Sequence, residues 1–195
     1  MNNAVVVGLV IIVAAAAGYI VQQEYYVSQE NLETDQSAAS QHIEFELTHV
    51  DGSTRRLSDW DGEARLVNFW ATWCAPCRRE IPLLKQLQLE KPEKQLQVIG
   101  VAVDFMEEVR AYAEEAEFNY PVLVGQEEAM AAAEASGLQF VGLPFTMIIS
   151  SDGVLVGSHS GEIMQPHIDR IVDVMQDLES GAIDLQSAQS ELGQL

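Results

Sequence analysis

Cys74 and Cys77 are the only cysteines in the 195-residue chain, and they lie within Trp73-Cys74-Ala75-Pro76-Cys77. At that separation two thiols can close a small disulfide ring and reopen it, so the pair is a candidate redox switch. The competing reading is a metal site. Structural zinc is normally closed by four thiolate or imidazole ligands. The chain has no second cysteine pair, and His42, His49, His159 and His167 are scattered rather than set at ligand spacing. Dithiol chemistry is therefore favoured, with no metal and no cofactor expected. A static structural disulfide is the other alternative.

The segments on either side of the pair must position it. Leu66 to Trp70 is a short apolar run of the kind found in strands buried on both sides. After the cysteines, Ile81, Leu84 and Leu87 recur at helical spacing, so a helix is predicted from Cys74 to Glu90, stopping before Pro92. Pro82 lies inside it, where a kink is expected. Cys74 then falls at the helix start, where unpaired amides and the helix dipole favour a thiolate. Cys77 sits one turn in and less exposed. Arg78 and Arg79 add positive charge within the first turns, with a simple solvent-facing role as the alternative for Arg79. Glu80 follows Cys77 at i+3 and shares its helix face. A partly buried carboxylate there would have a raised pKa and could carry protons to and from the thiols. The alternative is a solvated charge balancing Arg78 or Arg79. Trp70 and Trp73 suit the core, and Trp73, beside Cys74, also suits a docking surface.

Composition bounds the rest. The chain is 48% apolar, enough for one good core. Ten Lys and Arg against thirty Asp and Glu give a formal charge of −20. Such a surface repels a phosphate backbone, so no nucleic-acid partner is expected; solubility or life at high salt accounts for the acidity. Ala4 to Val21 is uncharged and long enough to span a bilayer. A cleaved signal peptide is the alternative, but Met1-Asn2-Asn3 lacks the usual basic residue and the apolar run is long for a signal. The predicted organisation is an N-terminal transmembrane anchor (or signal peptide) over 1–23, a flexible linker over 24–42, a globular domain over 43–180 and a polar tail over 181–195.

Within that domain, Ile43, Phe45 and Leu47 alternate with polar residues before Asp51-Gly52 and Thr54 to Leu57, a predicted N-terminal β-hairpin. Leu96 to Val103 reads as a buried strand, and Glu107 to Glu117 as an acidic amphipathic helix. Tyr120 to Leu123 reads as extended, and Glu127 to Ala135 as a small helix ended by Gly137. Phe145 to Ser150 and Val154 to His159 form a hairpin around Ser151-Asp152-Gly153, and Met164 to Leu178 is the last amphipathic helix. This order predicts an α/β fold with a central mixed β-sheet flanked by helices.

Asn68-Phe69-Trp70-Ala71-Thr72-Trp73-Cys74-Ala75-Pro76-Cys77-Arg78, with Gly142-Leu143-Pro144-Phe145-Thr146 and Ser151-Asp152-Gly153, resembles the thioredoxin superfamily. Within it, the chain is most similar to the membrane-anchored or exported disulfide reductases that include the TlpA, ResA and cytochrome c maturation proteins. The resemblance covers roughly Ile43 to Leu178 and implies a thioredoxin-like fold. It implies that Pro144, in a cis bond, faces the cysteines, and that Leu143 pairs with substrate backbone beside Trp73, Ala75 and Pro76. It also implies that Glu80 is functional. It places the domain on the extracytoplasmic side of the cytoplasmic membrane, anchored through residues 4–21 and recharged by a membrane electron donor of the DsbD or CcdA kind. The clients implied are disulfide-containing exported proteins, apocytochrome c among them. Two positions depart from family patterns: Asn68 replaces the buried acid of ordinary thioredoxin, and Phe145 stands where haem-maturation members often carry an acid.

The expected activity is thiol–disulfide reduction, Cys74 attacking the target and Cys77 resolving the mixed disulfide. Strong oxidants of the superfamily often place a histidine between the cysteines to stabilise the thiolate. Ala75-Pro76 supplies no such charge, which favours a reductant. A non-catalytic redox-sensing module and a disulfide oxidase or isomerase are the alternatives.

Overall fold

The strand leading to the cysteines is β3 (Ala64–Trp70), and all seven of its residues are buried. The computed structural model describes residues 41–195 apart from 135, 136, 138–140 and 194. The predicted anchor, and the linker up to residue 40, lie outside the described residues. Among the described residues no helix is long and apolar enough to cross a membrane.

β3 pairs in parallel with β4 (Leu96–Val103), with Leu66 beside Val98 and Trp70 beside Ala102. On its other side it pairs antiparallel with β6 (Phe145–Ile149), with Phe69 opposite Phe145. With β1 (Glu46–His49), β2 (Thr54–Arg56), β5 (Val122–Gly125) and β7 (Leu155–Ser160), the strands form one mixed sheet in the order β2-β1-β5-β4-β3-β6-β7. β1 and β2 pair antiparallel across the Asp51-Gly52 turn, and β1 joins the sheet by pairing antiparallel with β5. At the other edge, Ile43 N donates to Gly153 O and Leu155 N to Gln41 O, so the end of the predicted linker is paired against the β6–β7 turn.

The alternation of β3 divides the core. Leu66 and Trp70 face the cluster containing Ile81, Leu84 and Leu87 of α1 (Ala75–Leu89) and Ile168, Ile171 and Met175 of α5 (Gln165–Glu179). Val67 and Phe69 face the opposite cluster, with Leu57, Phe145 and Ala129, Ala132 and Ala133 of α4 (Glu127–Glu134). The fold is thus a thioredoxin-like α/β sheet flanked by helices. α3 (Met106–Ala116) connects β4 to β5 and buries Val109 in the first cluster.

Two elements differ from the sequence expectation. α1 ends at Leu89, but Pro92 does not end helical structure. It enters the first turn of a short α2 (Lys91–Lys94), where its missing N–H costs no intrahelical bond. The expected polar tail contains α6 (Leu185–Leu192), capped by the Asp184 side chain, which accepts from Ser187 N. Its Ala188 and Leu192 are buried. Leu192 comes so near the strand that a Cβ on Gly157 of β7 would lie 2.7 Å from its own Cβ. Only a residue without a side chain admits that contact.

Candidate active site

Cys74 and Cys77 form a disulfide, with their Cα atoms 5.3 Å apart. Cys74 is the N-cap of α1, and its Sγ accepts from Cys77 N at 3.3 Å. The cap position thus directs an otherwise unpaired helix amide at sulfur, the geometry that stabilises a thiolate there. Cys74 retains 5% exposure and Cys77 none, so of the pair Cys74 alone presents any surface. Pro76 fits the first helical turn, where no amide is needed.

Three segments distant in sequence complete the site. Phe69 opposite Phe145 sets the Leu143–Pro144 bond, which is cis, at the sheet end that carries the cysteines. Pro144 O accepts from Gly161 N, which joins this turn to the end of β7. Phe145 is a buried β6 residue whose ring centroid lies 5.9 Å from that of Phe69. The two tryptophans separate cleanly. Trp70 is fully buried against Tyr112 and Phe118, whereas Trp73 is 69% exposed beside Cys74. Ala75 is exposed, Leu143 and Pro76 are half-buried and Pro144 is buried.

Glu80 is 1% exposed. Its Oε1 accepts from Asn68 Nδ2 at 2.8 Å and its Oε2 from Ile163 N at 2.7 Å. Burial outweighs these two hydrogen bonds and pushes its pKa up to about 7. The solvated alternative for Glu80 is thereby set aside. Asn68 Nδ2 also donates to Thr146 Oγ1 at 3.1 Å, while Asn68 Oδ1, equally buried, has no partner among the described residues. Arg79 does not stand free: its guanidinium pairs with Glu162, next to the Ile163 that holds Glu80. Arg78 is exposed and makes neither an ion pair nor a side-chain hydrogen bond among the described residues.

Asp104, which no sequence motif marks, is a further polar anchor. Its Oδ2 accepts from Thr72 N at 2.9 Å and Thr72 Oγ1 at 2.6 Å, and its Oδ1 from Phe105 N. One buried carboxylate thus joins the loop before the cysteines to the start of α3. The available signal was an acid directly after a buried strand, a position that often satisfies loop amides. Among the described residues no group of three or more His, Cys, Asp or Glu is arranged to hold a metal ion.

The AhpC/TSA family matches residues 38–158. The thioredoxin-like protein YneN of Bacillus subtilis is 31% identical over 137 residues, covering 67% of this chain and 76% of that one. The thiol-disulfide oxidoreductase ResA of Geobacillus kaustophilus is 29% identical over 133 residues, covering 66% and 74%. A solved thiol:disulfide interchange protein of the thioredoxin family from Chlorobium tepidum TLS superposes with a TM-score of 0.61 at 30% identity, covering 70% of this chain and 96% of that one. The dithiol at a helix start, the cis proline at the same sheet end and these matches agree, and the chain belongs to the AhpC/TSA family of thioredoxin-like proteins.

Proposed function

We propose that this thiol–disulfide oxidoreductase works as a reductase of disulfides in exported proteins, with Glu80 as its proton carrier. The observation that supports it is the buried Glu80 carboxyl, one helical turn beyond the inner cysteine and near half-protonation at neutral pH. In the reduced protein the Cys74 thiolate attacks one sulfur of the target disulfide. The target bond breaks, and its second sulfur leaves as a thiolate that takes a proton from water. Cys77 then loses its proton to Glu80 and attacks Cys74 Sγ. The mixed disulfide breaks, the target sulfur that was bound to Cys74 leaves as a thiolate, and the Cys74–Cys77 bond forms. Two electrons have passed to the target. A group titrating near 7 can both accept and return a proton at neutral pH, which an ordinary carboxylate cannot.

Asn68 suits this role. Its amide donates to the carboxylate as placed. A rotated amide would turn the unpartnered Oδ1 toward the protonated acid, so either state of Glu80 can be matched. The uncharged Ala75-Pro76 pair favours electron donation over oxidation. The tether through residues 4–21, the extracytoplasmic side, recharging by a membrane donor of the DsbD or CcdA kind, and apocytochrome c among the clients all belong to this reading.

Cys77→Ser tests the assignment. It should hold clients on Cys74 as mixed disulfides that diagonal gels display, whereas Cys74→Ser should hold almost none. Equal capture by the two variants would overturn the order of attack.

A further inference from the structure

The outer face of α1 is a groove that the dithiol chemistry does not use. Arg78, Ile81, Pro82, Lys85, Gln86 and Leu89 recur at helical spacing and form one wall. Tyr112, Glu115 and Ala116 of α3 form the other, and the groove encloses about 350 Å³, within the range of sites that hold small ligands or side chains.

Its chemistry is graded along its length. At the cysteine end stands Arg78, exposed and without an ionic or hydrogen-bonding side-chain partner among the described residues. Six of the ten basic residues (Arg56, Arg65, Arg79, Lys91, Lys94 and Arg170) are in ion pairs. In a chain of charge −20, Arg78 is an unpaired guanidinium on the residue that follows Cys77. The middle offers apolar surface: Lys85 gives its ammonium to Ala116 O at 2.6 Å and so presents its stem. Leu89, at the far end, is 67% exposed. Glu115 on the facing wall disfavours a carboxylate in the middle and confines one to the Arg78 end.

We infer that this groove binds the stretch of client polypeptide next to its disulfide, selecting a carboxylate beside the half-cystine and an apolar side chain about four residues further on. The inference rests on the reductase reading. Arg78 and Leu89 are eleven residues apart, about 16 Å along a helix axis. A separation of four residues in an extended client spans about 14 Å, and the length of the Arg78 side chain covers the remainder. Charge complementarity chooses the occupant. Beyond about 8–10 Å salt screens the repulsion between the acidic surface and an acidic client, so at contact Arg78 decides.

The experiment uses the reduced full chain and disulfide-linked peptides. The residue after cysteine is Glu, Gln or Lys, and the one four further on is Leu or Ser. The wild-type protein should reduce the Glu peptide about fivefold faster than the Lys peptide, the range of one exposed charge pair, and favour Leu over Ser similarly. Arg78→Gln should bring the Glu:Lys ratio to about one, and Leu89→Ser should do the same for Leu:Ser. Ratios within each protein cancel any change in thiolate reactivity. Fluorescence anisotropy of labelled peptides with serine for cysteine reads binding without electron transfer.

Reduction with no charge preference, or a preference that survives Arg78→Gln, would overturn the groove and leave the reductase reading intact. Binding preferences that collapse in Arg78→Gln, with no peptide reduced, would uphold the groove and overturn the reductase reading. A dimer in sedimentation that Leu89→Ser dissociates would show the groove filled by a second copy, and would also overturn the inference.

Discussion

Two buried charges flank the same strand and behave in opposite ways. Arg65, near the start of β3, is fully buried. Its two terminal nitrogens donate to Leu57 O, Ser150 O and Ser151 O and pair with Asp61 at 2.9 Å, while Nε has no partner among the described residues. Glu80 packs against Asn68, three residues further along β3 and on its other face, and receives two donors among the described residues. A guanidinium cannot discharge in a protein, so the fold must surround it with acceptors. A carboxyl can take a proton, so a partly furnished site is tolerated and becomes a titrating one. The first is a staple between the β2–β3 and β6–β7 connections. The second is adjustable because it is under-supplied.

Breaking the staple should have the largest effect. Arg65→Met removes charge-assisted hydrogen bonds to Leu57 O, Ser150 O and Ser151 O, of which the two serine carbonyls keep backbone donors (Gly153 N and Gly62 N), and should cost about 4 kcal/mol in denaturant unfolding, at about 1.5–3 kcal/mol per such bond, with a pH–rate midpoint like that of the wild type. A shifted midpoint would mean that the two charges are coupled.

Glu80→Gln should act in the opposite sense on stability. The folded pKa, about 7, lies above the usual 4.5. The folded state therefore binds the extra proton between those values, and stability from this group is full below pH 4.5 and lost as pH rises through 7. The loss amounts to about 3 kcal/mol above pH 8. The amide carries no such cost, so the gap between variant and wild type should widen toward alkaline pH. A gap constant from pH 5 to 9 would remove the titration from Glu80.

The same variant should slow peptide-disulfide reduction about a hundredfold at pH 7, the lower end for general acid–base catalysis, and flatten the stopped-flow pH profile around 7. Asn68→Leu sharpens the contrast further. Losing the donor to the carboxylate should raise the profile's midpoint by about one pH unit; a fall would place Asn68 on the side of the protonated acid. Smallest of all, Arg79→Ala breaks a pair whose arginine is 61% exposed and should leave unfolding midpoints unchanged.

Much of this was legible in the chain. The spacing of Cys74 and Cys77, the apolar run of β3 and the helical recurrence of Ile81, Leu84 and Leu87 are local patterns, and local geometry follows from them. The facing Pro144 came from resemblance, since nothing in a lone X-Pro reports which segment it opposes. α6 was hidden because only Leu185, Ala188 and Leu192 break a polar stretch, and their spacing acquires meaning only once Gly157 offers a surface to cover. The partners of Asp104 and Ile163 were hidden for a related reason: their hydrogen bonds reach back 32 and 83 residues.

The sequence by itself determined that a dithiol would sit at the start of a helix after a buried strand, in a chain of strongly negative net charge. Those properties depend on neighbours a few residues apart and on net charge. Only the tertiary structure decided that Glu80 would titrate near neutrality. Desolvation sums over whatever surrounds a group, and here that surrounding comes from β3, from β6 and from the turn at Ile163.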